Sequence, residues 1–90
     1  MESEDHKTKL IRDKEGLEQL AKQLKMVRNR QGFTQERLAA ESGLALSQVA
    51  RIETAITNPT VSTLMRIART LEVPVGDLFD FTLPKQDHYK

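Results

Sequence analysis

Gly32 and Gly43 bracket a stretch with room for only about two helical turns, and this short span constrains everything around it. A glycine takes up the left-handed conformation that ends a helix without steric penalty, so each is read as a stop. Between them Thr34 offers a hydroxyl for an N-terminal cap, Glu36 sits favourably in the first turn, and Leu38 and Ala39 face inward. After Leu44 and Ala45 comes a second short segment, Ser47-Gln48-Val49-Ala50-Arg51-Ile52-Glu53, with Val49 and Ile52 as its apolar pair. Two very short helices flanking a glycine-containing turn predict a helix-turn-helix unit.

The flanking sequence supplies the rest of an all-α core. Leu17, Leu20, Ala21, Leu24 and Val27 recur at the three- and four-residue spacing of an amphipathic helix that Gly32 stops. Asn58-Pro59-Thr60 marks a turn and a new cap, because Pro59 disfavours helix before it and Thr60 can accept from the following turn. Leu64, Ile67, Ala68 and Leu71 then trace a fourth helix. Pro74 breaks it, and Val75, Leu78 and Phe79 predict a last short turn laid back on the core. The division expected is a charged, mobile tail over residues 1–16, one domain over 17–81 and a loose end over 82–90. Leu10 and Ile11 are expected to dock locally. Of Val75, Leu78, Phe79, Phe81 and Leu83, those not taken into the core would form a self-association patch.

Composition removes several function classes. Ninety residues hold one core, not the two of a two-domain enzyme. Three Phe, one Tyr and no Trp leave the core aliphatic. The absence of cysteine excludes a disulfide scaffold, a thiolate metal site and a cysteine nucleophile, and it permits a reducing cytoplasm. Apolar runs reach only three residues, as at 44–46, against the roughly 18 to 20 that a membrane span requires, and the N-terminus is charged where a secretory signal would be apolar. His6 and His88 stand in the two tails without neighbouring ligand spacing, so no metal is expected. With no phosphate loop, paired carboxylates or activated nucleophile, neither catalysis nor a cofactor is expected.

Charge becomes informative when divided along the chain. Residues 17–72 carry eight Lys and Arg against five Asp and Glu, whereas both flanks carry one more acid than base. Lys22, Lys25, Arg28 and Arg30 crowd the first helix beside the single acid Glu18. Charge alone does not separate a solvated helix face from an electrostatic footprint for nucleic acid.

The second short helix bears on that choice without closing it, since an exposed arginine on a short helix also suits a plain solvated face. At about 100° per residue, with Val49 as origin, Ile52 and Glu53 lie toward the buried stripe. Ser47, Arg51 and Thr54 lie opposite, with Ala50 and Gln48 on the flanks. Short or hydrogen-bonding side chains with one guanidinium can enter a major groove and address base edges.

Gln31-Gly32-Phe33-Thr34-Gln35-Glu36-Arg37-Leu38-Ala39, Ser42-Gly43-Leu44, Val49-Ala50-Arg51-Ile52-Glu53 and Asn58-Pro59-Thr60, with Leu64 and Ala68 beyond, resemble the Cro/repressor (XRE-type) helix-turn-helix family in one register over residues 17 to about 80. The resemblance implies a compact five-helix, lambda-repressor-like domain. Its third helix would read double-stranded DNA, usually as a homodimer on related half-sites. Residue by residue, it implies backbone positioning by Thr34 and Gln35, and base reading by Leu46, Ser47, Gln48 and Arg51. Thr54, Thr57 and Asn58 would follow the phosphates, and Arg28 and Glu53 would form an internal ion pair.

The chain departs from the family pattern at three places. Ala45 replaces the usual Ser or Thr cap of the third helix, and Ala55 stands where glycine is common. Leu46 is apolar at a position often polar, which suits either a thymine methyl or internal packing. The function implied is a cytoplasmic, sequence-specific transcriptional regulator, expected as a homodimeric repressor. The charged N-terminal tail and apolar C-terminal segment leave a second reading, a protein-interaction module such as an antitoxin whose DNA binding depends on a protein partner.

Overall fold

The structure, a computed structural model, describes residues 10–86. Four α-helices follow one another, α1 (Lys14–Arg30), α2 (Gln35–Ser42), α3 (Leu46–Glu53) and α4 (Val61–Leu71), and a 3-10 helix (Val75–Phe79) closes the domain. No strand occurs among the described residues. The fifth element of the five-helix expectation is thus a 3-10 turn. Five residues after Pro74 are too few for a stable α-helix, and the Asp77 N–H closes onto the Pro74 carbonyl at 2.9 Å.

Helix ends follow the local chemistry. Thr34 and Thr60 each accept from an amide three residues on, those of Arg37 at 3.0 Å and Thr63 at 3.1 Å. Gly32 (φ 78°) and Gly43 (φ 79°) take the left-handed conformation just past α1 and α2. Helix α1 starts at Lys14, ahead of the periodic run that begins at Leu17, because the Asp13 carboxylate accepts from the Gly16 N–H at 2.9 Å. Leu10 and Ile11 do not dock as expected. They remain 96% and 84% exposed, since the chain reaches α1 along the surface. Residues 1–9 and 87–90 of the two expected tails, with His6 and His88, lie outside the described residues.

One aliphatic core joins all five elements. Leu24, Val27, Leu38, Val49, Ile67, Leu71 and Leu78 are fully buried, and Leu17, Leu20, Ala39, Ile52, Leu64 and Ala68 complete the cluster. Each large aliphatic side chain contributes about 1.5 to 3 kcal/mol by leaving water. Helix α1 packs against α3 and the 3-10 helix, while α2 packs against α3 and α4. Side chains of α1 pin the closing turn from outside, with Gln23 donating to the Asp77 carbonyl at 2.9 Å and Arg30 pairing with the Asp77 carboxylate at 3.1 Å. This arrangement leaves the outer face of α3 uncovered.

Candidate nucleic-acid interface

Helix α3 divides by its own periodicity. Val49, Ile52 and Glu53 are buried, Ala50 is half-buried, and Ser47, Gln48, Arg51 and Thr54 are exposed. Leu46 stands at the start of the helix, 44% exposed. Arg51 offers a guanidinium with no hydrogen-bond or ion-pair partner among the described residues.

The N-terminus of α3 is secured unusually. Ala45 has no oxygen to cap with, but the Gln48 carboxamide reaches back and accepts from the Ala45 N–H at 2.9 Å. Half of a capping box therefore operates, and the Gln48 NH2 group has no hydrogen-bond partner among the described residues.

The same helix is tied down from behind by a buried ion pair. Arg28 Nε donates to Glu53 Oε2 at 2.6 Å and Nη2 to Oε1 at 2.9 Å, the fork-on-fork geometry in which guanidinium and carboxylate fit best. The Glu53 side chain is fully buried and that of Arg28 is 10% exposed. Gln35 adds a third donor, its Nε2 lying 2.9 Å from Glu53 Oε1, and Arg28 Nη1 donates to the Phe33 carbonyl at 2.8 Å. The hydrogen bonds that Arg28 donates to Glu53 hold its pKa above the ordinary value against the opposing effect of burial, so the guanidinium stays charged. A single carboxylate thus links α1, the start of α2 and the end of α3.

Around this anchor the other candidates take their places. Thr34 caps α2 and Gln35 opens it, so both stand at the helix end whose free amides attract anions. Gln48, Arg51, Thr57, Asn58, Thr60 and Thr63 line a shallow groove of about 220 Å³ between α3 and the start of α4. Thr54 donates its hydroxyl to the Ala50 carbonyl at 2.9 Å. Of the expected candidates, Gln48 and Arg51 for base reading and Thr57 and Asn58 for phosphates line this one groove, whereas Leu46, Ser47, Thr54, Thr34 and Gln35 do not.

Several supporting contacts have no sequence signature. Arg37 stacks 3.9 Å over the Phe33 ring, and Arg66 donates to the Ser42 carbonyl at 3.2 Å, satisfying the end of α2. Arg12 donates to the carbonyls of Ala55 and Ile56 at 2.8 and 2.9 Å, across the turn that leaves α3. A charged residue ahead of the first helix carries no periodicity that points to a partner so far along the chain.

Comparison with known proteins agrees with this architecture. A helix-turn-helix family model matches residues 24–78, more than half of the chain, and the chain belongs to that family, as its Cro/repressor-type motif spacing implies. The HTH-type transcriptional regulator SlrR of Bacillus subtilis (strain 168) is 40% identical over 58 residues. That match spans 63% of this chain and 38% of SlrR, so the likeness is to one part of a longer protein. Among solved structures, the restriction-modification controller protein C.AhdI from Aeromonas hydrophila superposes with a TM-score of 0.68 at 30% identity, over 70% of this chain and 96% of its own. An HTH_3 family transcriptional regulator from Vibrio cholerae gives 0.68 at 31% identity, over 71% of this chain and 36% of its own. Among the described residues, no helix is long and apolar enough to cross a membrane, and no cluster of metal-ligating side chains occurs.

Proposed function

We propose that this chain is a sequence-specific, double-stranded DNA-binding transcriptional regulator that acts in the cytoplasm without catalysing a reaction. The observation that carries this reading is the outer face of α3, where Ser47, Gln48 and Arg51 project beside the loop bearing Thr57 and Asn58. Arg51 and the free NH2 of Gln48 are donors suited to base edges, and Leu46 suits a thymine methyl. Thr34, Gln35, Thr54, Thr57 and Asn58 hold the register by touching phosphate and sugar. The named roles of SlrR and the Vibrio cholerae protein in transcription support the same reading. Titrating a random-sequence duplex with the protein tests its electrostatic half. Affinity should fall at least about tenfold between about 50 and 200 mM salt. Undetectable binding at the lower salt would remove the reading.

The regulator acts as a homodimer, with repression by occupancy as its simplest output. Support comes from apolar side chains left outside the core, Phe79 at 47%, Leu83 at 48% and Val61 at 63% exposed, which rim a groove also lined by Phe81. Sedimentation should give twice the chain mass of 10.3 kDa for the wild type and the single-chain mass for Phe79→Glu. A wild-type monomer at working concentration would assign this surface to the second reading, a protein partner of antitoxin type, which co-purification would then recover.

A further inference from the structure

The loop that leaves α3 is held in a conformation its sequence does not favour. The Ala55 N–H bonds the Ile52 carbonyl at 3.2 Å and the Ile56 N–H bonds the Arg51 carbonyl at 2.9 Å, the paired closure that ends a helix through a left-handed residue. That residue is Ala55, at φ 61°, where a Cβ makes the conformation costly and glycine would not. Gly32 and Gly43 meet the same requirement elsewhere without strain. Three residues beyond Ala55 the loop has already presented Thr57 and Asn58 to the outer surface.

A second segment grips this turn. Arg12 Nη2 lies 2.8 Å from the Ala55 carbonyl and 2.9 Å from the Ile56 carbonyl, and in return Asn58 Nδ2 lies 3.4 Å from the Ile11 carbonyl. The grip is reciprocal, with one side chain from each segment reaching the backbone of the other. It is also anchored, because Asp13 begins α1 immediately after. The two carbonyls lie just beyond Glu53 and Thr54, where α3 ends, a place at which the helix dipole favours a cation.

We propose that Arg12 is a positioning residue for DNA binding, its two hydrogen bonds holding the strained turn at Ala55 so that the following loop stays in register with the reading face of α3. The inference rests on the DNA-binding reading for its consequence but not for its mechanism. Arg12 sets affinity through the loop and does not itself neutralise a phosphate.

Amide exchange on the full chain and titration of a random-sequence duplex test the two halves separately. Arg12→Ala should speed exchange at Ile56 and Thr57 about tenfold more than at Leu24 and Val27. Duplex affinity should fall by roughly tenfold with the slope against salt unchanged. Adding Ala55→Gly should restore most of both losses, because the turn then closes without strain. Unchanged exchange at Ile56 and Thr57 would overturn the grip. A slope reduced by about one counterion would make Arg12 a direct phosphate contact and overturn the positioning role. Faster exchange with unaltered duplex affinity would overturn the coupling to DNA. A wild type that binds no duplex would overturn that coupling through the functional reading, while the exchange result still decides the grip.

Discussion

Glu53→Ala is expected to lower the stability of the domain by about 3 to 5 kcal/mol, because it leaves the Arg28 guanidinium buried without its carboxylate. Gln35 loses the acceptor of its Nε2 donor in the same step. At about 4 to 8 °C per kcal/mol for a domain of this size, the melting temperature should fall by at least about 12 °C. Total stabilities of small domains lie near 5 to 15 kcal/mol, so much of the reserve would be removed. The double variant Arg28→Met with Glu53→Leu should recover a large part of the loss, since neither charge then remains to be desolvated. A thermal melt of Glu53→Ala within a degree or two of wild type would mean that water reaches Arg28 and replaces the carboxylate. That outcome would also detach α3 from the anchor that aims its outer face.

Arg51→Ala is expected to weaken binding to the preferred DNA sequence by about 1 to 3 kcal/mol, and to erase the preference at one base pair. The stability of the fold should barely change, because the Arg51 side chain is exposed and makes no hydrogen bond or ion pair among the described residues. Gln35→Ala should behave differently. It should weaken all sequences alike through the start of α2, and also cost some stability through Glu53. Competition binding against the preferred and a scrambled duplex separates the two patterns. Equal losses on both duplexes for Arg51→Ala would contradict the base-reading role of α3.

Much of this framework is legible in the sequence because its signals are local. Gly32, Gly43, Thr34 and Thr60 announce helix ends through conformations and hydrogen bonds that involve only their neighbours. The aliphatic spacing from Leu17 to Val27 and from Leu64 to Leu71 places the core. A wheel of α3 is enough to turn Glu53 inward, where it meets Arg28.

What escapes such reading is long-range or uses residues in secondary roles. The charges around Asp13 read as tail, although an aspartate three residues before a free amide is itself a cap signal. Gln35 and Gln48 read as outward-facing side chains, yet each spends part of its carboxamide on the protein itself, on the buried Glu53 carboxylate and on the exposed Ala45 amide. The grip of Arg12 on the loop after α3 depends on where tertiary packing brings two exposed segments, and no spacing rule encodes that. Leu10 and Ile11 show the converse, apolar residues whose sequence suggests docking and whose position beside the helix start prevents it.

The central claim is that the outer face of α3 discriminates base sequence in duplex DNA. Affinity selection of the purified protein on random duplexes at near-physiological salt, followed by sequencing of what is retained, tests it most directly. An enriched palindrome with half-sites roughly 10 bp apart is the predicted result, matching a two-fold dimer that presents two α3 helices to successive major grooves. Retention without enrichment of any sequence would contradict the claim, leaving a chain that holds DNA by charge alone.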